Sequence, residues 1–360
     1  MATDLRSPLP SPWAAADSVW TANERSLDVA RAVLGARDAP VGTTPKEVVW
    51  RKNKACLYRY LRATPATQQT PVLLVLPLIN RAYILDLRPG ASFVQSLLGR
   101  GFDVFLLDWG IPGDEDRNLD IETLVTRYLP RAVRKARQAA GVAELTMLGY
   151  CIGGALVACY TALYPDAIKN LVLFTAPITF AESGKFGSWT AKNAFPIDEL
   201  VEVFPTVPGS MPDLGSKMLN PLPSTVGTYV RLWDKLGDES FDVAGWQAMY
   251  RWVNEGVPFP GAAFRQWIKE FYREDKLARG TLEFDGRRVL LGNIRCPVLN
   301  VAASADAIAP RSTTASTLSL VGSADKQELL VKGGHVGIVV GRAASNDLWP
   351  KVADWLERHD

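Results

Sequence analysis

The stretch Leu145-Thr-Met-Leu-Gly-Tyr-Cys-Ile-Gly-Gly-Ala-Leu-Val-Ala-Cys-Tyr160 decides the fold that we expect for this chain. A short apolar run leads into a sharp turn around Cys151, and an apolar, alanine-rich segment follows. This order predicts a strand, a tight turn and a helix, with glycines where one backbone approaches another. It is the pattern of a nucleophile elbow, with cysteine in place of the more usual serine.

The elbow predicts an exposed Cys151 sulfur above a helix N-terminus, where main-chain N–H groups favour the thiolate. The alternative is a buried structural cysteine in a glycine-rich turn, because free cysteine is often buried. The other three cysteines lie in apolar, strand-like or helix-like contexts without metal-ligand spacing, so we expect neither disulfides nor a metal site: Cys56, Cys159 and Cys296.

Composition indicates a globular protein with a large core. The chain has 360 residues, 48% of them hydrophobic, and a formal net charge of +2, which gives no reason to expect nucleic acid or a membrane surface as a partner. Its first residues lack a basic segment followed by an apolar core, and no apolar run approaches the roughly 20 residues that span a bilayer. We therefore expect a cytoplasmic protein without an integral membrane segment.

Continuous apolar runs alternate with helical patterns, which predicts a doubly wound, mostly parallel sheet covered on both faces. A hairpin over 46–50 and 55–60 precedes the alternation. The expected strands are 71–77, 102–108, a run ending at Leu148, 169–175, 297–302 and 326–331, and the expected helices are 91–100, 119–140 and 346–358.

The alternation stops after Phe180 and resumes near residue 286. The intervening residues, 181–285, are rich in proline and contain helix-like stretches with five tryptophans, so we interpret them as a cap inserted into a core formed by 41–180 and 286–360. Residues 1–40 form a separate N-terminal segment with an amphipathic helix over 18–34. The tryptophans of the cap segment are Trp189, Trp233, Trp246, Trp252 and Trp267.

Cys151, Asp306 and His335 each follow a predicted strand end, where catalytic groups gather in open α/β sheets. Their order of nucleophile, acid and histidine is that of α/β-hydrolases, and this is the fold we predict. The chain has one other histidine, His359, which we expect to be frayed and solvated. The alternatives are a structural role for His335 and a helix-capping role for Asp306.

An oxyanion hole is expected at the main-chain N–H groups of Ile152, which follows the nucleophile, and of Ile79, in the loop after the first buried strand. Four basic residues at helical spacing could face an anionic substrate, although a solvated helix face is the explanation that we favour: Arg127, Arg131, Arg134 and Lys135. The glycine-rich turn lacks the spacing of a dinucleotide or phosphate loop.

The chain resembles the polyhydroxyalkanoate synthases, and its length is similar to that of the short catalytic subunit of the class III type. The box Gly149-Tyr-Cys-Ile-Gly-Gly154 is the specific part, since cysteine in this elbow separates these synthases from most lipases and esterases. The other matching segments are Thr44–Trp50, Ile79–Asp86, Leu107–Gly110, Ala263–Trp267 and Gly334-His335.

The resemblance implies polymerisation of (R)-3-hydroxyacyl-CoA thioesters into a polyester, with 3-hydroxybutyryl-CoA the expected short-chain substrate. It implies Cys151 as acyl carrier, His335 as base and Asp306 as its partner, with coenzyme A as part of the substrate and no further cofactor. It also implies a second synthase subunit, a homo- or hetero-oligomer, and work at the surface of polyester granules. One position departs from the family: Ala307 stands where many members have histidine after the aspartate.

Two other functions remain open. A thioesterase on the same scaffold would use water as the acyl acceptor, and a non-catalytic, granule-associated or partner-binding paralogue would account for the departure at Ala307.

Overall fold

The computed structural model describes residues 12–360, apart from the side chains of residues 12–22 and of Leu222 and Pro223. The chain forms two compact units. One unit combines the N-terminal segment up to Ala39 with Asn220–Arg251, and the other comprises Pro40–Leu219 and Trp252–Asp360. The segment expected to form a cap, 181–285, therefore contributes to both units, and its role as a cap stays a prediction.

The larger unit is built on an eight-stranded sheet with the order β1-β2-β4-β3-β5-β6-β7-β8. Strand β1 pairs antiparallel with β2, β2 pairs antiparallel with β4, and the remaining pairs are parallel. This confirms the predicted α/β-hydrolase fold with its mostly parallel sheet. The strands are Lys46–Lys52 (β1), Ala55–Tyr60 (β2), Val72–Val75 (β3), Val104–Asp108 (β4), Leu145–Tyr150 (β5), Ile168–Phe174 (β6), Val298–Ala303 (β7) and Lys326–Val331 (β8).

The central strands are apolar because helices cover both of their faces. Every residue of β3, β5 and β7 is buried. Strand β5 continues two residues beyond the expected end at Leu148, because Gly149 and Tyr150 still pair with Leu173 and Phe174 of β6. The turn of the elbow is thus confined to Cys151.

The helices of the core follow the sequence prediction with shifted ends. The first is Phe93–Gly99, where the Ser92 side chain accepts a hydrogen bond from the Gln95 N–H and caps the helix. A second runs from 121 to 140 and widens into a π-helical turn at Leu124–Tyr128. The helices of the core outside 181–285 are Phe93–Gly99 (α1), 121–140 (α2), Ile152–Leu163 (α3), Arg311–Thr314 (α4), Thr317–Leu320 (α5), Gly337–Val340 (α6) and Trp349–Arg358 (α7).

Helix α3 packs so closely on the sheet that glycine is required at the elbow. A Cβ atom on Gly149 would lie 2.5 Å from the Gly154 Cα, one on Gly153 would overlap the Val75 carbonyl oxygen, and one on Gly154 would overlap the Ala176 side chain. Each neighbour is backbone or a short side chain that cannot move aside. The glycines therefore fix the distance between β5, α3 and the end of β6.

Residues 181–285 are mainly helical. In the larger unit this segment consists of two stretches, one up to Leu219 and one from Trp252. The short strands Thr206–Val207 and Phe259–Pro260 pair with each other and so join the two stretches. The helices of the segment are Gly184–Thr190, Ile197–Val203, Ser210–Leu219, Pro221–Ser224, Val226–Lys235, Val243–Asn254, Gly261–Gln266, which continues as the π-helical Trp267–Arg273, and Lys276–Arg279.

The N-terminal helix is longer than the 18–34 expected from its pattern and covers Pro12–Gly35. Within its unit it packs on Val226–Lys235. The Gln247 amide donates to the Ala32 carbonyl oxygen at 3.0 Å, and Arg251 donates to the Ala39 carbonyl oxygen at 2.8 Å. Long-range hydrogen bonds therefore hold the end of the N-terminal segment.

The C-terminal residues are ordered by contacts, so the expectation of a frayed His359 is wrong. Its ring stacks on Trp355 with 4.1 Å between the ring centroids, and its Nε2 lies 2.9 Å from an Asp325 oxygen. The Asp360 carboxylate accepts hydrogen bonds from the N–H groups of Gln69 and Thr70, just before β3. An aromatic neighbour one helical turn back, Trp355, and an acidic partner just before β8, Asp325, account for this order.

The packing at the elbow predicts opposite effects for two glycine substitutions. Gly154→Ala should lower the free energy of unfolding by about 1–3 kcal/mol, because the new methyl group overlaps the Ala176 side chain. The matched control, Gly99→Ala at the end of α1, meets no atom within 4 Å and should raise it by up to about 1 kcal/mol. Urea unfolding of both variants measures the difference, and equal effects would contradict the close approach.

Candidate active site

Residues of four loops meet at the carboxyl edge of the parallel strands. Cys151 follows β5, Asp306 lies three residues after β7, His335 lies four residues after β8, and the loop containing Ile79 follows β3. Since these strands run parallel in one sheet, their carboxyl ends share one edge of it. The site predicted from the sequence is thus assembled from loops far apart in the chain.

Cys151 occupies a strained backbone conformation. Its φ of 54° and ψ of −128° lie in a region that non-glycine residues avoid at a cost of about 1–3 kcal/mol. The Cys151 N–H donates to the Phe174 carbonyl oxygen at 2.9 Å, and its carbonyl oxygen accepts from the Gly154 N–H at 2.9 Å. Pairing with β6 and the first turn of α3 together hold the residue in this conformation.

The expectation of an exposed sulfur is wrong, because Cys151 is only 9% exposed. The turn directs the residue to the edge of the sheet, where His335 and Tyr272 lie close enough for its charge to affect their pKa values. A buried sulfur with ionisable neighbours differs from an inert core cysteine such as Cys159, where burial alone raises the pKa above its usual range.

His335 and Asp306 form a buried pair. The imidazole Nδ1 lies 2.7 Å from the Asp306 Oδ2, while the Asp306 Oδ1 accepts hydrogen bonds from the N–H groups of Ile308 and Ala309, both at 2.8 Å. Asp306 thus holds its own loop and the imidazole, and it does not cap the helix that begins at Arg311. The pairing at Nδ1 leaves the imidazole Nε2 available to another group.

Two main-chain hydrogen bonds join the loops that bear this pair. The Ser304 N–H donates to the Val331 carbonyl oxygen at 2.9 Å, and the Ala305 N–H donates to the Gly333 carbonyl oxygen at 2.8 Å. Gly333 has a φ of 154°, a value that favours glycine. The pairing of β7 with β8 therefore continues to the residue before Asp306 and fixes its distance from His335.

The surroundings of His335 favour the imidazolium. Burial lowers its pKa, but the negative charge of Cys151 and the hydrogen bond with Asp306 outweigh burial and raise the pKa to about 10. The structure thus brings the three predicted residues together as a sulfur, an imidazole and a carboxylate. This arrangement can take up and release a proton at the imidazole, while the catalytic roles themselves stay predictions.

Of the two predicted oxyanion donors, Ile152 belongs to the elbow and Ile79 lies in the loop after β3, the strand beside β5. Ile152 is the first residue of α3, so its N–H has no acceptor within the helix. The loop that contains Ile79 is held by hydrogen bonds from the Val257 N–H to the Ile79 carbonyl oxygen at 3.1 Å and from the Trp252 indole to the Arg81 carbonyl oxygen at 2.9 Å. Among the described residues no acceptor faces the Ile79 N–H, and its role stays a prediction.

Three residues near the site were missed in the sequence analysis. Tyr150 donates to the His335 carbonyl oxygen at 3.3 Å, and its ring lies 5.1 Å from the imidazole. Thr175, next to the Cys151 hydrogen-bond partner, has a φ of 41° and a buried hydroxyl without a hydrogen-bond partner in the described part of the chain. Tyr272 comes from a helical turn more than 100 residues after the elbow. Only Tyr150 had a hint in the sequence, because it stands next to Cys151 in the box Gly149–Gly154.

Two of the four basic residues on α2 make contacts within the larger unit. The Arg127 guanidinium pairs with Asp285 at 2.6 Å, and Arg131 donates to the Arg127 carbonyl oxygen at 2.7 Å.

Across the described residues, no group of three or more histidine, cysteine or acidic side chains is placed to hold a metal ion. None of the described helices combines the length and apolarity needed to cross a membrane.

Comparison with known proteins identifies the family. Residues 85–341 match the family described as alpha/beta hydrolase fold, and residues 25–97 match the poly-beta-hydroxybutyrate polymerase (PhaC) N-terminus. A poly(3-hydroxyalkanoate) polymerase subunit PhaC from Allochromatium vinosum is 35% identical over 326 residues, which cover 90% of this chain and 91% of that protein. The chain belongs to the poly(3-hydroxyalkanoate) polymerase family.

Other members of this family differ in length. A subunit PhaC from a Synechocystis species is 35% identical over 329 residues, covering 90% of this chain and 87% of that protein. A subunit PhaC from Haloferax mediterranei is 35% identical over 320 residues, and there the chain spans 65% of the relative's length. The resemblance drawn from the elbow box is thus confirmed at the level of the family.

Solved structures agree on the fold. A monoacylglycerol lipase from Paleococcus ferrophilus has a TM-score of 0.54 and 17% identity, over 84% of this chain and 99% of that one. A thermophilic esterase from Thermogutta terrifontis has a TM-score of 0.52 and 14% identity, over 88% and 99%. Both support the α/β-hydrolase architecture.

The strained backbone at Cys151 predicts that Gly and Ala variants have opposite orders of stability at Cys151 and at Cys159. At position 151 the Gly variant should be more stable than the Ala variant by about 1 kcal/mol, because glycine accepts a positive φ. At Cys159, inside α3, Ala should be more stable than Gly by about 1 kcal/mol. Each pair lacks the sulfur, so chemical unfolding isolates the backbone effect, and the same order at both sites would contradict the strain.

The raised pKa of His335 predicts a pH-dependent contribution to stability. Because the pKa is higher in the folded protein, the contribution should be complete below pH 6.5 and lost as the pH rises through about 10. The measurement is the difference in free energy of unfolding between the wild type and His335→Gln across this range. A difference that stays constant would show that folding does not raise the pKa of His335.

Proposed function

We propose that this chain is a polyhydroxyalkanoate synthase that joins (R)-3-hydroxyacyl units from their coenzyme A thioesters into a polyester. The observation that carries the proposal is a cysteine in a strained elbow beside a buried histidine–aspartate pair, in a chain of the poly(3-hydroxyalkanoate) polymerase family. We take 3-hydroxybutyryl-CoA as the expected short-chain substrate.

Acylation begins with attack of the Cys151 sulfur on the thioester carbonyl carbon. The N–H groups of Ile152 and Ile79 stabilise the oxyanion that forms. The bond between the carbonyl carbon and the coenzyme A sulfur then breaks, and the departing thiolate takes a proton from the His335 imidazolium. One thioester replaces another, so the step is nearly balanced and the acyl group stays activated.

Elongation uses an alcohol as the second nucleophile. The 3-hydroxyl of the next unit attacks the carbonyl carbon of the Cys151 thioester while neutral His335 accepts its proton. A new ester bond forms, the bond to sulfur breaks, and the Cys151 thiolate faces an imidazolium again. Asp306 keeps Nδ1 occupied at 2.7 Å, which directs Nε2 toward the reacting groups.

The burial of the site supports polymerisation over hydrolysis. Water at the Cys151 thioester would release a free acid, and a residue that is 9% exposed in aromatic surroundings offers water little access. Ala307 is exposed and directly follows the buried Asp306. A small side chain there leaves the Asp306 interactions intact, so we expect effects on coenzyme A affinity before effects on acyl transfer.

The setting of the enzyme follows from the same proposal. We propose that the chain works with a second synthase subunit, as a homo- or hetero-oligomer, in the cytoplasm at the surface of polyester granules. The acyl-CoA substrate and the growing polyester are its other partners. Neither nucleic acid nor a metal ion takes part, and coenzyme A enters only as part of the substrate.

The deciding experiment follows labelled (R)-3-hydroxybutyryl-CoA with the purified protein, with and without a cell extract that supplies a missing subunit. Label in insoluble polymer together with released coenzyme A supports the synthase. Released coenzyme A with label in soluble acid indicates a thioesterase. No release under either condition indicates a non-catalytic, granule-associated paralogue and overturns the proposal.

The assignment of the nucleophile predicts different results for two cysteines. Cys151→Ala should reduce coenzyme A release by at least about a thousandfold, because no other group can carry the acyl chain. Cys159→Ala should retain most of the activity, since Cys159 is buried inside α3 with a raised pKa. Release is followed with a thiol reagent, and equal activity of wild type and Cys151→Ala would remove the enzymatic interpretation.

A further inference from the structure

The side chain of Tyr150 contacts His335 in two places. Its ring lies 5.1 Å from the imidazole, measured between centroids, with an angle of 33° between the two planes. A separation of about 4.5–7 Å is that of aromatic rings in contact. The Tyr150 hydroxyl also donates a hydrogen bond to the His335 carbonyl oxygen at 3.3 Å. One side chain therefore meets both the ring and the main chain of the proposed base.

The position of Tyr150 is itself fixed by the sheet. Tyr150 is the last residue of β5, where it is buried and pairs with Phe174 of β6. Burial raises the pKa of Tyr150 well above its usual value, so the hydroxyl keeps the proton that it donates to His335. Because Tyr150 directly precedes Cys151 in the chain, a group that Tyr150 holds is held relative to the elbow.

The loop that bears His335 needs support of this kind. Two glycines, Gly333 and Gly334, precede the histidine, and glycine leaves the main chain more freedom than any other residue. The hydrogen bond with Asp306 at Nδ1 fixes one edge of the imidazole and leaves the tilt of its plane open. A flat ring packed against the imidazole restricts that tilt, because any rotation of one plane must push against the other.

We infer that Tyr150 is a positioning residue for His335, whose imidazole tilt is set by the Tyr150 ring and whose main chain is held by the Tyr150 hydroxyl. The inference rests on the proposed function and adds to it the residue that relates the base to the elbow. A misplacement of about 1 Å can lower a catalysed rate about a hundredfold, so the tilt matters for proton transfer at Nε2. Tyr150 itself transfers no proton, because its hydroxyl is engaged by the His335 carbonyl oxygen.

Two substitutions separate the ring from the hydroxyl. Tyr150→Phe keeps the ring and removes one long hydrogen bond, so kcat for coenzyme A release from (R)-3-hydroxybutyryl-CoA should fall by no more than about fivefold. Tyr150→Leu also removes the ring, so kcat should fall at least about a hundredfold. In both variants KM should stay within about threefold of the wild-type value, because Tyr150 acts on the imidazole and not on the bound substrate.

The imidazole gives a second readout, which a purely structural role would not move selectively. The chain has two histidines. His335 pairs with Asp306 at Nδ1, and the Nδ1 of His359 lies 2.7 Å from a main-chain carbonyl oxygen. NMR of protein with isotope-labelled histidine, assigned with His359→Gln, should show the same Nδ1 proton resonances in wild type and Tyr150→Phe. In Tyr150→Leu the His335 resonance should shift or broaden, and that of His359 should stay unchanged.

Tyr160→Phe is the matched control, since Tyr160 is a second buried tyrosine, on α3, whose ring lies 5.0 Å from that of Tyr164. It should change neither kcat nor the His335 resonance. Four results overturn the inference: a wild-type kcat in Tyr150→Leu, equal losses in the Phe and Leu variants, a lower kcat with an unchanged His335 resonance, or loss of the His359 resonance as well, which would show a general structural role. A wild type that releases no coenzyme A overturns the proposed function, whereas the two resonances test the contact between Tyr150 and His335 without any turnover.

Discussion

The site depends on how closely one helix approaches the sheet. Gly149, Gly153 and Gly154 bring β5, α3 and the ends of β3 and β6 to distances that no side chain would allow. This packing supports Cys151 in a conformation that would be unfavourable in an open loop. The helix N-terminus, the sulfur and the neighbouring strand ends are therefore positioned by van der Waals contact between backbones.

A second constraint fixes the position of the Asp306–His335 pair. Main-chain hydrogen bonds continue beyond β7 and β8 as far as Ala305 and Gly333, so Asp306 and His335 are held before their side chains interact. Each loop is short. The loop with Asp306 follows β7, which is buried in the sheet, and the loop with His335 follows β8, which pairs with β7. The imidazole consequently needs little reorganisation to act, which is the property that preorganised sites share.

The sequence alone predicted the sheet, the elbow and the meeting of Cys151, Asp306 and His335, because buried parallel strands leave continuous apolar runs and their ends share an edge. It missed properties that arise from distant contacts. The burial of Cys151, the contact of His359 with Asp325 and the position of Tyr272 depend on neighbours with no fixed spacing in the chain. The pairing of the N-terminal segment with Asn220–Arg251 left no local pattern for the same reason.

The Asp360 carboxylate has a consequence for work with this protein. It accepts hydrogen bonds at 2.8 and 2.7 Å from the two N–H groups that precede β3, the strand next to the elbow strand. An affinity tag or a fluorescent fusion joined after residue 360 should preserve this side chain and begin with a flexible spacer. A fusion that pulls Asp360 away would leave the N–H groups of Gln69 and Thr70, just before a central strand, without their acceptor. The resulting loss of structure would look like a failure of the protein to assemble.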